Sequence, residues 1–557
     1  MRWLNENSRK FLSKGYLLNG ESAEDRIMAI ARHAEDILQK PGFADKFYEY
    51  MGRGWYSLST PVWANFGRSK GLPISCFGGY VEDSMSGILY SQAEAGMMSK
   101  YGGGTSGYLG DVRPRGSDIK DNGTSSGSVH FMSLFETITN VVSQGSTRKG
   151  HYAAYLPADH GDVDEFLDIG TEGNPLQNLN HGVVVTDEWM QSMVDGDEKK
   201  REVWAKIIQR RGEIGFPYIM FGDNANNNTV DVYKGKHKIL ASNLCTEIML
   251  PANERWSFVC CLSSLNILHY DEWKDTDAVE TMVYFLDAVM EEFIRRLESF
   301  RDSDKHQERL AFQFMERAYN FAKENRALGL GVLGWHSYLQ SHMIPFESDE
   351  ALTLNKEIFQ NIRAHADAGS KSLAEELGEP EMLKGKGRRN TTLMAIAPTT
   401  SSSFILGQVS QGIEPVWSNC YVKDIDKMKV TIKNPFLTNL LERHGKNDKE
   451  TWDSIRDNDG SVAHLDFLSY QEKDVFKTFA EIDPIKILIQ ASDRQQFIDQ
   501  GQSLNLMIGP STPARTINNL YLYAWKAGIK SLYYQHSISA AQELNRKKLI
   551  ECKECEA

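Results

Sequence analysis

The sequence predicts an α/β fold with parallel strands, set behind a helical N-terminal region. Three observations predict it. Residues 1 to about 70 carry helical patterning with helix-start chemistry. From about 70 to 440, short apolar runs of strand type alternate with amphipathic helical runs, as parallel strands and their crossover helices do. With 557 residues, 41% hydrophobic and 25% charged, the chain is long enough to bury a large core and has an ordinary globular composition.

Taken in order, "SAEDRIMAIARHAEDILQKPG" reads as a helix, with Ser22 able to cap it and Glu24 and Asp25 in its first turn. "HGVVVTDEWMQSMV", "LGLGVLGW" and "TTLMAIAP" supply strand-like runs, residues 440–530 read as helical and charged, and "GIKSLYYQ" reads as a last strand. After Gln542 the chain turns polar and basic. Two stretches imitate known sites. "GGGTSG" satisfies G-x-G-x-x-G, but Gly110, Pro114 and Gly116 behind it forbid the helix that would hold a pyrophosphate. "DHGDVDEF" is acidic enough for a metal, yet Asp162 with Glu165 three residues on reads better as a helix N-terminal capping box.

No apolar run approaches the roughly 18–20 residues that span a bilayer, and the first residues lack a secretory signal pattern. A cytoplasmic protein is expected. The net charge of −13 argues against a nucleic-acid polymer as partner. Seven cysteines are too few for a disulfide framework. Cys552 and Cys555 form a CxxC pair on the polar tail with no histidine after it, so no metal site is predicted.

In "SNLCTEIMLP", Asn243, Cys245 and Glu247 alternate, so an extended segment would turn them to one side and Leu244 and Thr246 outward. A buried strand cysteine is the plainer reading, but a carboxylate and an amide beside it require partners or substrate. "PISCFGGYVEDS" and "FVCCLSSLN" supply Cys76 and Cys260. "APTTSSSF" offers Thr400, Ser401, Ser402 and Ser403 either as a simple helix start or as a phosphate cradle. Tyr533 and Tyr534 on a strand would point to opposite faces, one to the core and one to the surface; both phenols are also oxidisable, so stacked rings could relay an electron.

Together and in this order, from about residue 8 to 557, these elements resemble the large catalytic subunit of class I ribonucleotide reductases. The resemblance implies a ten-stranded α/β barrel of two five-stranded parallel halves around a central finger loop. It divides the chain into a helical region (1–70), the barrel (71–536) and a flexible redox tail (537–557). It implies that Cys245 becomes a thiyl radical, with Asn243 and Glu247 as its hydrogen-bonding and acid/base partners. Cys76 and Cys260 would become oxidised in turnover and be re-reduced by Cys552 and Cys555, themselves served by thioredoxin or glutaredoxin. Tyr533 and Tyr534 would pass in a radical from a separate metal-containing small subunit, with no prosthetic group in this chain. Thr60, Ser75, Thr400, Ser401, Ser402 and Ser403 would hold ribonucleoside diphosphates.

The same resemblance places a dNTP or ATP effector at Asp83, Ser84, Met85, Ile88, Arg113, Gln144 and Arg148, at a homodimer interface. It also implies a form without the N-terminal ATP-cone, hence without an overall-activity site of its own. The competing readings are an adenosylcobalamin-dependent reductase, for which the tyrosine pair is unnecessary, and a non-catalytic nucleotide-binding subunit, which would be expected to have lost a catalytic residue. A thiol-disulfide oxidoreductase using only the tail pair is a third.

Overall fold

The computed structural model describes residues 1–145, 149–425 and 428–537. Helices Glu6–Leu12, Ala23–Leu38 and Phe43–Arg53 form the N-terminal region. Ser22 caps the second of these as expected, its hydroxyl accepting from the Asp25 N–H at 3.0 Å; such a cap is worth about 1 kcal/mol. Ile27, Ile30, Ala31 and Ala34 recur at helical spacing and are all buried. Strand β1 (Tyr56–Leu58) follows, and then helix Thr60–Asn65.

The remaining strands are β2 (Cys76–Tyr80), β3 (Gly104–Tyr108), β4 (Tyr152–Pro157), β5 (Asn180–Val185), β6 (Tyr218–Phe221), β7 (Phe258–Asn266), β8 (Leu328–Leu333), β9 (Cys420–Ile425), β10 (Met428–Lys433), β11 (Leu506–Ile508), β12 (Ser531–Leu532) and β13 (Gln535–Ser537). Strands β2 to β6 pair in chain order, each parallel to the next, and make one five-stranded half. The other half begins with β7 parallel to β8. It continues through bridges from Leu330 to Met394 and from Ile396 to Gln502, and ends where Tyr533 N–H donates to Leu504 O at 2.9 Å beside β12. The halves meet antiparallel twice, β2 on β7 and β6 on β12. That closure makes the expected ten-stranded barrel.

β7 is buried along all nine residues, the continuous burial of a strand covered on both faces. "TTLMAIAP" contributes bridges rather than a full ladder, because the Asp499 carboxylate takes the N–H groups of Leu393 and Met394, both at 2.9 Å. β1 pairs antiparallel with Ser263–Leu265 of β7, so the N-terminal region adds a strand to the barrel sheet. Outside the barrel, β9 and β10 form a hairpin beside a separate small core that includes Leu437, Trp452 and Phe476. No helix among the described residues is long and apolar enough to cross a membrane.

Three local expectations are corrected. Asp162 does not cap its own helix, Val163–Phe166. Its carboxylate instead accepts from the N–H groups of Arg115 (2.9 Å) and Ser128 (2.8 Å), and Glu165 pairs with the Arg115 guanidinium. Both oxygens of the Asp162 carboxylate are thereby engaged by backbone N–H groups of the 113–128 segment and neither is left to cap the short helix. "GIKSLYYQ" is not one strand, since Tyr533 and Tyr534 lie between β12 and β13. Residues 243–247 are not extended either, as the site shows. By contrast "GGGTSG" runs into strand β3 and opens no helix, as its glycines and the following proline predict.

Candidate active site

The finger loop crosses the barrel interior between helix Gly222–Asn227 and β7. It turns at Leu244 and Cys245, and Thr246 has φ +67°, the left-handed region that a β-branched residue rarely occupies. Neighbouring staves hold this turn by its carbonyls: Tyr155 Oη donates to Asn243 O at 2.7 Å, Ser531 Oγ to Thr246 O at 2.9 Å, and Gly501 N–H to Glu247 O at 2.8 Å. Leu244 and Thr246 are buried, not outward. Asn243 and Glu247 converge all the same, through the turn rather than strand alternation.

Asn243 Nδ2 donates to Glu247 Oε1 at 2.9 Å and to Cys76 Sγ at 3.4 Å. Cys76 Sγ in turn lies 3.9 Å from Glu247 Oε1, and Ser503 Oγ donates to Glu247 Oε2 at 3.0 Å. The Asn243 amide cannot turn over, because its Oδ1 accepts the Ile248 N–H at 3.1 Å. Cys76 stands directly opposite Cys260 in the β2–β7 ladder. Opposed antiparallel residues have Cα atoms about 4.5–5.5 Å apart, inside the roughly 4.4–6.8 Å a disulfide spans. Neither is in a disulfide here, and the register selects Cys260 over Cys261. Burial pushes the Cys260 thiol well above its ordinary range, opposed by hydrogen bonding from Gln500.

Cys245 packs in one apolar cluster with Tyr155, Tyr218, Tyr533 and Tyr534. The last two are 2% and 5% exposed, with ring centroids 4.2 Å apart. Both are therefore interior, which overturns the one-in, one-out expectation: off the strand, adjacent residues no longer alternate. Tyr218 packs on both rings, at 4.9 and 5.2 Å, and Asn180 Nδ2 reaches its phenol at 3.0 Å.

Thr399 adopts φ +58° and starts helix Thr400–Ile405, so Ser401, Ser402 and Ser403 lie in its first turns, all buried. Ser57 of β1 donates to Ser402 O at 3.0 Å and so brings this helix beside Thr60, the first residue of helix Thr60–Asn65. Ser75 Oγ lies 3.6 Å from Cys76 Sγ. At the rim, Asp83 accepts from Arg113 Nε at 2.8 Å and from its N–H at 3.2 Å. Ser84 caps helix Met85–Lys100, Met85 is exposed and Ile88 is buried beneath. Gln144 lies apart from these and donates to Asn65 Oδ1 at 2.8 Å, on the helix that Thr60 opens. Arg148, Cys552 and Cys555 lie outside the described residues.

Sequence reasoning did not single out Gln500, Ser503, Glu414 or Asn505. Glu414 is buried, accepts from Trp417 Nε1 at 3.0 Å and from the Asn505 amide, and Asn505 Oδ1 accepts the Tyr534 N–H at 3.1 Å. Burial pushes its carboxyl up to about 7. No local pattern in the sequence marked them.

A ten-stranded barrel with a thiol on an internal loop, a thiol pair across one seam and two closely packed tyrosines behind defines a class of redox enzyme. The comparisons agree. Residues 74–200, 191–383 and 380–535 match the family profile "Ribonucleotide reductase, barrel domain", and residues 2–71 match "Ribonucleotide reductase, all-alpha domain". The chain is 32% identical over 608 residues to the ribonucleoside-diphosphate reductase large subunit of Invertebrate iridescent virus 3, covering 94% of this chain and 92% of that one. It is 28% identical over 610 residues to the ribonucleoside-diphosphate reductase subunit alpha of Chlamydia trachomatis, covering 92% of this chain and 56% of that one. Among solved structures, the Actinobacillus ureae class Id ribonucleotide reductase alpha subunit is similar at TM-score 0.90 and 53% identity, covering 99% of each chain. The chain belongs to the ribonucleotide reductase large subunits, a family of oxidoreductases.

Proposed function

We propose that this chain is the catalytic subunit of a class I reductase that converts ribonucleoside diphosphates to 2′-deoxyribonucleoside diphosphates. The observation that carries the reading is the meeting of Asn243, Glu247 and Cys76 on one side of a ladder pair with Cys260. A Cys245 thiyl takes the hydrogen atom from C3′ of the substrate and becomes a thiol. Glu247 accepts the 3′-hydroxyl proton while the 2′-hydroxyl leaves as water. Cys76 and Cys260 give up two electrons and two protons and close as a disulfide. Cys245 finally returns its hydrogen atom to C3′.

Tyr533 and Tyr534 bring in the oxidising equivalent from a metal-containing small subunit; their packing on the Cys245 cluster supports that route. Thr60, Ser75 and the Thr400–Ser403 turn hold the substrate's phosphates. A dNTP or ATP effector binds near Asp83, Ser84, Met85, Ile88 and Arg113 at a homodimer interface, and Gln144 and Arg148 link it to the substrate. Cys552 and Cys555 re-reduce the active-site disulfide and are recharged by thioredoxin or glutaredoxin in the cytoplasm.

The test is turnover of the holoenzyme on a ribonucleoside diphosphate without reductant. Product is expected to stop at a burst matched to the dithiols each chain carries, with peptide mapping finding Cys76 joined to Cys260. Continued turnover without reductant, or no disulfide between these two, removes the reading.

A further inference from the structure

We infer that Gln500 sets the direction in which the Cys76–Cys260 disulfide is reopened: the incoming thiolate attacks Cys76, and Cys260 departs as a thiolate held by the Gln500 amide. The inference rests on the redox-pair reading above and adds to it a positioning residue and an order of bond breaking.

The two sulfurs face unlike surroundings. Cys76 is 6% exposed and Cys260 is 0% exposed. Gly329 of β8 lies directly over the Cys260 sulfur, and a Cβ at that position would stand 2.9 Å from it. Gln500, itself buried, covers another side with Nε2 at 3.5 Å. Thiol-disulfide exchange needs the attacking sulfur to reach the attacked one and passes through a mixed disulfide. Of the two cysteines, Cys76 is the less enclosed among the described residues.

The Gln500 amide is aimed by its other bonds. Its Oε1 accepts the Met249 N–H at 3.0 Å, so Nε2 must face Cys260. Asn243 is aimed at Cys76 in the same way by the neighbouring Ile248 N–H. Consecutive N–H groups of the finger loop thus orient one amide donor toward each thiol. The two Nε2 hydrogens of Gln500 have three acceptors in reach: Cys260 Sγ, Leu328 O at 3.0 Å and Thr392 Oγ1 at 3.1 Å. A neutral thiol draws them weakly. A full negative charge draws them strongly, since charge-assisted hydrogen bonds are about twice as strong as neutral ones.

The step balances. A reductant thiolate forms a bond to Cys76 Sγ as the Cys76–Cys260 bond breaks, and the bonding pair leaves on Cys260 Sγ. A second reductant thiolate then attacks the reductant sulfur of the mixed disulfide, releasing Cys76 as a thiolate. The reductant becomes a disulfide, and both cysteines take protons from solvent.

The experiment uses the full chain with Cys552→Ser and Cys555→Ser, oxidised by one turnover in the holoenzyme. A monothiol, 2-mercaptoethanol, is then added, and the mixture is acid-quenched and peptide-mapped. The adduct is expected on Cys76. Gln500→Met should slow the reduction about tenfold or more, the worth of a hydrogen bond to a charged group. Gln500→Glu should slow it by a factor that grows with pH, because only the protonated carboxyl can donate. A merely structural role would shift the unfolding temperature without changing that pH slope. An adduct on Cys260, or wild-type rates and pH slope in both variants, overturns the inference alone. Absence of the disulfide after turnover overturns the redox-pair reading with it.

Discussion

Asn243 and Glu247 in the barrel interior, and Asp83 and Arg113 at its rim, are both held by bonds between side chains, but in very different surroundings. The interior pair has almost no exposure, and its bonds run to Cys76, Ser503 and loop backbone. The rim side chains are 32% and 39% exposed. In the interior a lost partner leaves a buried group unsatisfied, at about 1–3 kcal/mol. At the rim the ion pair is worth about 0–1 kcal/mol, so an incoming ligand can exchange it at little cost. The groups proposed for catalysis thus lie where rearrangement is expensive, and those proposed for effector binding lie where it is cheap.

The largest effect expected from breaking this contrast is at Glu247. Glu247→Gln keeps the size of the side chain but removes the proton acceptor, so kcat in the holoenzyme should fall about 10²–10⁴-fold. Binding of the substrate diphosphate, measured by calorimetry, should change little; near-normal kcat would mean that the buried carboxylate only holds the loop.

Glu414 sharpens the comparison, because it is an interior carboxyl whose hydrogen-bond partners among the described residues, Trp417 and Asn505, are neutral. Its bonds to Trp417 and Asn505 favour the charged form, but burial dominates and raises it from 4.5 to about 7. A raised folded value means that the stability it contributes is fully present below about pH 4.5 and is lost as pH rises through 7. Glu414→Gln carries a constant offset from one lost acceptor and no titration. Relative to wild type it should therefore gain up to about 3 kcal/mol between about pH 5 and pH 8, read as a closing gap in unfolding temperature. A gap that is flat with pH would show a solvated carboxyl.

The smallest effect is at the rim. Asp83→Asn should cost less than about 1 kcal/mol in thermal unfolding. Its larger consequence should be an altered preference among nucleotide substrates at fixed effector. Unchanged preference would separate this corner from substrate selection.

The main motifs of the site were legible in the sequence as a set. The Cys245 motif, the hydroxyl run and the tyrosine pair each have a plain packing reading alone, and it is their combination and order along the chain that single them out. What the sequence hid was backbone departing from its local period. Alternation placed Asn243 and Glu247 on one side for the wrong reason, because Thr246 in the left-handed region breaks the strand. Leaving the strand likewise turns Tyr533 and Tyr534 both inward. Gln500, Ser503 and Glu414 were hidden because a glutamine, a serine or a glutamate is ordinary in any polar segment, and only long-range closure of the barrel brings them to the thiols and tyrosines. Asp162 and Glu165 were misread because a capping box is a local pattern and their partners lie about 35–50 residues away in sequence.

The pairing of β1 with β7 bears on where this chain can be cut. The all-alpha match ends at residue 71, an inviting boundary for expressing the barrel alone. A fragment starting there would strip Tyr56–Leu58 from Ser263–Leu265 and leave an open edge just downstream of Cys260 on the same strand. It would also remove Ser57, which seats the Thr400–Ile405 helix, and Thr60 with it. Unpaired strand edges recruit other chains, so such a fragment should aggregate rather than fold as a module. The two family matches meet near residue 71, yet strand pairing and a hydrogen bond tie residues before that boundary to the barrel.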